Sequence, residues 1–454
     1  MRRCGLVCVA LVACGPTAPE ATSDATEPGA STSGAHIPTT GQTATSSAAM
    51  TSGDVSASTG APAPCGPPCA ETWEEPGDLV VGPDADPAEL ACLVRVGGRL
   101  IVQYLEDPAV LAGLASLESV GTLSLYTNPG LERLDELGCL RSVTDLSASH
   151  NPNLTSLDAL SGVRGVASLA LADNPQLAVL PTLATDPEVS PRNLTLTEMD
   201  ALTDLDALAD WGGPGEVTNV ALADCASLTS IAGLSGLLAG ASEARVQLHR
   251  LPALAELDAI AGPAGDLDLE LWALPAVVAL PAFTAADAYV SLWAMDGLTN
   301  VDGLAGIGEI TRLELRQMPA LADLSGLAGM TSAERVVLAG LPALTDLTGL
   351  AGLEQVGELM LGSCDKDVTG GLEQLTSLAG LDSLQTVQML TLGHDHALVD
   401  LAGAPALVGV GGVQIIDMPG LPGDVLAAWL ADHGSPPACV DPDNTGMCAC
   451  NGWF

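Results

Sequence analysis

Four residue pairs carry the side chains best suited to chemistry in this chain: Gln247/His249, Glu270/Trp272, Ser291/Trp293 and Glu314/Arg316. The members of each pair are two residues apart, so on a β-strand both point to one face. An aromatic row flanked by hydrogen-bonding and charged groups is what a sugar ring or a protein hot spot requires. Glu270 and Glu314 share a register two repeats apart, about 9.6 Å at the strand spacing, which overlaps the carboxyl separation of inverting glycosidases. Nothing in the sequence raises the pKa of either carboxylate, and Arg316 can pair with Glu314, so no catalytic residue is assigned.

Other sets of candidate ligands are less complete. His394 and His396, in Gly-His-Asp-His, sit at a strand end on one face, without a third ligand. Asp441, Asp443 and Gly446 match three positions of a calcium loop, but its twelfth position is Gly452 where glutamate is needed. Cys439, Cys448 and Cys450 lack the CxxC spacing of a zinc site and read as one disulfide plus one further cysteine. No metal and no cofactor is implied.

The elements that must position the four pairs are repeats. Three consecutive 23-residue copies start at Leu123, Leu146 and Leu169, and each opens apolar-x-apolar, passes Asn-Pro, then places an apolar residue at about every third position. A fixed period of this size means a solenoid whose turns bury their apolar faces only by stacking. Apolar-x-apolar pairs begin at Leu100, Leu123, Leu146, Leu169, Leu194, Val220, Val246, Leu269, Val290, Leu313, Val336, Leu359, Leu390 and Val413, fourteen strands in all. Stacked at about 4.8 Å per turn they form a parallel sheet roughly 65 Å long. A period of three between strands suits 3₁₀ turns or flat β-arcs, not α-helix. The expected fold is therefore mainly β, a right-handed parallel β-solenoid of about fourteen turns with little helix.

Asn128, Asn151 and Asn174 share one corner register, where an amide ladder would bond adjacent turns; Leu251, Leu274, Met318, Leu341 and Met418 replace them later. The row is structural. The longest turn, 31 residues from Leu359, carries Ser363-Cys364-Asp365-Lys366-Asp367 as an insertion that should bulge from the stack. After Pro422, Asp424 can cap a helix over Val425 to His433 that Gly434 ends, closing the core with Val425, Leu426, Trp429 and Leu430.

Composition limits the partners. Formal net charge is −42 with a single lysine, Lys366, so nucleic acid and anionic headgroups are excluded for want of a basic patch. Apolar residues make up 48% and aromatics 2%, so the core must be Leu, Val and Ala.

The chain opens with Arg2 and Arg3, then an apolar run from Gly5 to Leu11, the pattern of a secretion signal. Leu11-Val12-Ala13-Cys14 resembles the bacterial lipobox, which implies cleavage after residue 13 and lipidation of Cys14. Residues 15 to 64 are Ser, Thr, Ala, Gly and Pro-rich, with no aromatic, Lys or Arg; such a tether stays disordered and reaches roughly 40 Å. No run of 18 apolar residues exists to cross a membrane. The expected organisation is a leader over 1–13, a lipidated tether over 14–64, a disulfide-bearing cap over 65–99, the solenoid over 100–422, and a capping helix with a Cys-rich tail over 423–454.

Cys92-Leu-Val-Arg-Val-Gly-Gly-Arg-Leu-Ile resembles the opening of receptor L domains, and LSLYTNPGLERL and LSASHNPNLTSL are similar to L-domain and leucine-rich repeats. The resemblance covers residues 65 to 422. It implies extracellular recognition of a ligand without enzymatic activity, and a disulfide from Cys69 (or Cys65) to Cys92. Excluding Cys4, Cys8 and Cys14 leaves 12 − 3 = 9 cysteines, an odd number. Cys92 and Cys139 lie two turns apart, about 9.6 Å, too far to bond.

The sequence thus predicts a binding protein of the bacterial cell envelope, lipid-anchored at the outer membrane. It would engage a protein or carbohydrate through the sheet face at Gln247, His249, Glu270, Trp272, Ser291, Trp293, Glu314 and Arg316. A spacer or adhesive without a discrete site is the alternative, and a polysaccharide-cleaving β-helix the more distant one.

Overall fold

The computed structural model describes residues 66–183, 186, 188–189, 191–212, 217–238, 241–261, 265–363 and 371–441. The leader, the tether, Cys65, the insertion at 364–370, and the tail with Asp443, Gly446, Cys448, Cys450 and Gly452 lie outside the described residues.

The described chain forms a solenoid around a single sheet of 18 strands. All the pairings between strands are parallel: Trp73–Glu75 and Leu79–Val81 both lie against Leu93–Gln103, and each later turn pairs with the next through to Val413–Ile416. All fourteen apolar pairs lie on strands with both members inward and buried, from Leu100/Val102 to Val413/Ile415. Strict register makes each pair stack on its equivalent, as Leu123 does on Leu100 and Leu146. Each fully buried leucine or valine contributes about 1.5–3 kcal/mol, so Leu ladders hold the stack without aromatic wedges. Trp211 and Phe283 are fully buried exceptions within the stack, with Trp211 Nε1 donating to Val166 O at 2.8 Å, and Trp429 is buried at its C-terminal end.

The return side of the turns is built from short 3₁₀ segments such as Asp135–Leu137, Asp158–Leu160 and Asp302–Leu304, which place a leucine every third residue inside. Ser, Asp and Asn side chains two residues upstream bond the first N–H of several, as Asp204 Oδ1 does for Asp206 at 3.2 Å.

Each turn leaves its strand through a residue in the left-handed region. Thr127 (φ 53°), His150 (φ 58°), Asp173 (φ 52°), Arg250 (φ 52°) and Ala273 (φ 54°) occupy equivalent positions. Their N–H groups donate to the following turn, Thr127 to Ser149 O at 2.9 Å and His150 to Ala172 O at 3.0 Å. Stacking thus sustains a conformation that costs roughly 1–2 kcal/mol in a non-glycine residue. The bend turns the next side chain inward, where Asn128, Asn151 and Asn174 are fully buried. Asn128 Nδ2 donates to Asn151 Oδ1, and Asn151 Nδ2 to Asn174 Oδ1, both at 3.0 Å. The column continues through Met199, Cys225, Leu251, Leu274, Met295, Met318 and Leu341, all buried.

At the N-terminal end Cys69 is bonded to Cys92, the first of the two pairings considered. Cys139 and Cys439 are disulfide-bonded as well. At the other end the helix spans Gly423–Asp432, two residues earlier than expected, with Pro422 at the N-cap and no side-chain cap. Asp424 therefore lies in the first turn, where its charge favours the helix dipole without capping it. Gly434 (φ 80°) follows the helix, and Trp429 is buried beneath it. The sheet then continues: Ala438–Asp441 pairs with Val413–Ile416, so a further strand follows the helix. No described helix is long and apolar enough to cross a membrane.

Candidate functional site

The outward face of four adjacent strands, Glu243–His249, Asp266–Trp272, Asp287–Trp293 and Glu309–Arg316, brings the predicted residues together. Register aligns Gln247, Glu270, Ser291 and Glu314 in one column and His249, Trp272, Trp293 and Arg316 in the next. Alternation fixes this: with Val246/Leu248 and their equivalents buried, the residues between and after them must face outward.

Trp272 and Trp293 stack with ring centroids 5.3 Å apart and planes 22° apart. His249 meets Trp272 edge-on at 5.6 Å, and Arg250 Cζ lies 4.8 Å from the centroid of the same ring. Trp293 is 40% exposed, and its Nε1 donates to Gln317 Oε1 at 2.7 Å. The indoles are held from one side by Arg250 and from the other by Gln317, while Trp293 remains open to solvent.

The charged groups are bound to each other. Gln247 Nε2 donates to Glu270 Oε2 at 2.8 Å, and His249 Nε2 approaches Glu270 Oε1 at 3.5 Å. The His249 imidazole beside it holds the Glu270 carboxyl below its usual range, against the opposing effect of burial and with help from the Gln247 hydrogen bond. Arg316 binds Glu314 Oε2 at 3.1 Å, and Arg335 stands 3.7 Å from its other oxygen.

A third column, unremarked in the sequence, completes the face: Arg245, Asp268, Tyr289 and Arg312 share the register one alternation earlier. Arg245 Nε donates to Asp268 Oδ2 at 2.6 Å, and burial raises the Tyr289 hydroxyl pKa. These four side chains, with Asp287 and Thr311, border a hollow of about 690 Å³. The same period-two alternation that marked the other columns reaches them. Within these three columns Arg245, Arg312 and Arg316 match Asp268, Glu270 and Glu314, whereas the next column on the same strands, Glu243, Asp266, Asp287 and Glu309, is wholly acidic.

Beyond Arg316 the outward positions change character. Val337, Ala339 and Met360 form a second, small buried cluster, which ends the open face on that side.

The remaining candidates do not assemble with it. The strand carrying His394 ends at Gly393, and His394 itself is left-handed (φ 52°), so it and His396 do not share a strand face. His394 Nδ1 instead contacts Asp417 Oδ2 at 3.1 Å in the next turn. Asp395 between them is buried in the corner column, accepts from the N–H groups of Ala397 and Leu398, and has its pKa pushed up to about 6 by burial. Asp441 is buried at the end of its strand. Among the described residues no three His, Cys, Asp or Glu side chains converge as a metal would require. No protein-family model matches the chain, and neither does any curated protein.

Proposed function

We propose that this chain is an exported, lipid-anchored recognition protein of the cell envelope that holds a glycan or protein against the sheet face at Trp272 and Trp293. The observation that carries the reading is the stacked indole pair, half-buried at Trp272 and exposed at Trp293, held among arginines paired with carboxylates. Exposed, preorganised aromatics flanked by fixed polar groups bind with little loss of side-chain entropy. The anchor and export rest on Arg2, Arg3 and the Leu11-Val12-Ala13-Cys14 motif.

Binding is favoured over cleavage by the state of the carboxylates. A glycosidase acid needs a raised pKa, whereas the His249 imidazole and the Gln247 hydrogen bond lower that of Glu270. Glu314 is engaged by two arginines. The test is incubation of the purified protein with a panel of envelope polysaccharides and surface proteins. Retention of a panel member without release of reducing ends supports the reading. Release that vanishes in Glu270→Gln overturns it.

A further inference from the structure

We infer that Tyr104, Tyr126 and His150 form a second aromatic subsite, and that a flat corridor joins it to Trp272 and Trp293 so that one extended, non-anionic polysaccharide lies across both. The inference rests on the recognition role of the tryptophans proposed above and adds a site, a track and a ligand class to it.

The three rings form an edge-to-face row, with Tyr104–Tyr126 centroids at 6.0 Å and Tyr126–His150 at 5.7 Å. Tyr104 is 51% and Tyr126 41% exposed. The chain has only three tyrosines, two phenylalanines and six tryptophans, so two adjacent tyrosines in solvent are a costly use of a scarce residue type. Tyr104 stands at the left-handed position (φ 58°) that every turn has after its strand, and its ring lies beside that of Tyr126.

Tyr126 occupies the same sheet column as Trp272 and Trp293. The register runs Tyr126, Ser149, Ala172, Thr197, Ala223, His249, Trp272, which is six strand spacings or about 29 Å. The four residues after Tyr126 are small, so the floor between the aromatic groups is flat. Along one side runs a groove of about 700 Å³ lined by Asp173, Glu198, Asp200 and Asp224, with Arg250 at its tryptophan end.

This arrangement selects the ligand. The carboxylate wall repels a polyanion and accepts hydrogen bonds from hydroxyl groups. Every strand under the corridor is already paired on both sides, so a peptide finds no free backbone edge to extend. The small-residue floor offers it no side-chain pockets. A chain of sugars needs neither, only rings to stack on and acceptors beside them.

The probes are a neutral β-glucan, an α-glucan, a galactomannan and a xylan, each as intact chains and as oligomers too short to span about 29 Å. Two variants of the full protein, Tyr104→Ala/Tyr126→Ala and Trp272→Ala/Trp293→Ala, are compared with the wild type. Linked contacts on one ligand multiply, so each variant should bind the intact chain about tenfold or more weakly. The tyrosine variant should bind the short oligomer as the wild type does. Wild-type affinity of the tyrosine variant for the intact chain overturns the second subsite while leaving the tryptophan site standing; wild-type affinity of both variants overturns both. Binding of oligolysine with no neutral glycan bound overturns the assigned ligand. An unchanged unfolding midpoint in both variants shows that the fold is retained.

Discussion

Asn151 lies between Asn128 and Asn174 with its amide shared both ways: its Oδ1 accepts from Asn128 Nδ2 at 3.0 Å and its own Nδ2 donates to Asn174 Oδ1 at 3.0 Å. The same oxygen accepts the Asn128 backbone N–H at 3.0 Å, and the same nitrogen reaches Leu125 O at 3.2 Å. One side chain therefore satisfies buried polar groups of neighbouring turns. In a solenoid this clamps turn to turn where the left-handed bend strains the backbone.

Asn151→Leu should be strongly destabilising, although leucine occupies the equivalent position at Leu251 and Leu274. The substitution strands the Asn128 backbone N–H and one of its two amide N–H groups, the other staying on Val102 O, a loss of about 2–4 kcal/mol. Leu274→Ala, a cavity in the apolar part of the same column, should cost about 2–5 kcal/mol for a different reason. Thermal unfolding of Asn151→Leu alone and with Asn128→Leu separates the two effects. If the stranded amide is the cause, the double variant should be less damaged than the sum of the singles.

Asp395 occupies the same corner column near the C-terminal end of the described chain, buried and with its pKa raised to about 6. A carboxyl raised on folding favours the protonated native state. Its stabilising contribution is complete below the unfolded value near 3.9 and is lost as pH rises through about 6. Asp395→Asn keeps an oxygen for the Ala397 and Leu398 N–H groups and removes the titration. The variant should be more stable than wild type at pH 7 by about 1–3 kcal/mol, with the advantage shrinking toward pH 4. Unfolding midpoints of both proteins across that range measure it. A constant difference would mean that Asp395 does not titrate there.

Cys225, also in the corner column, is buried and free, and burial pushes its thiol up to about 11. The thiolate is the reactive form, so alkylation by iodoacetamide at pH 8 should be negligible in the native protein and rapid in urea. Mass mapping of the peptide containing Cys225 reads this directly. Fast native labelling would show that the corner opens without global unfolding.

The strands and the site columns were legible because one rule, inward alternation at a repeated register, governs both. It places Trp272 beside Trp293 from spacing alone, and one more step back would have reached Arg245, Asp268, Tyr289 and Arg312. The left-handed column was not legible, since Thr127, His150, Arg250 and Ala273 have no common preference for that conformation. It is imposed by hydrogen bonds from the next turn. His394 and His396 were misplaced for the same reason: the bend at His394 breaks the alternation that would have set them side by side. Asp424 looked like a cap, but the helix starts at Gly423, ahead of it. The strand Ala438–Asp441 was hidden because it follows a helix and its apolar pair, Ala438 and Val440, is small and exposed at the end of the sheet.

The central claim is that Trp272 and Trp293 form the contact surface for a ligand. The direct measurement is the affinity of wild type and Trp272→Ala/Trp293→Ala for the panel member the wild type retains, read by calorimetry, with unfolding midpoints as a control. Each indole should contribute about 1–2 kcal/mol, so the double variant should bind at least about tenfold more weakly while remaining folded. Equal affinities of the two folded proteins would contradict the account.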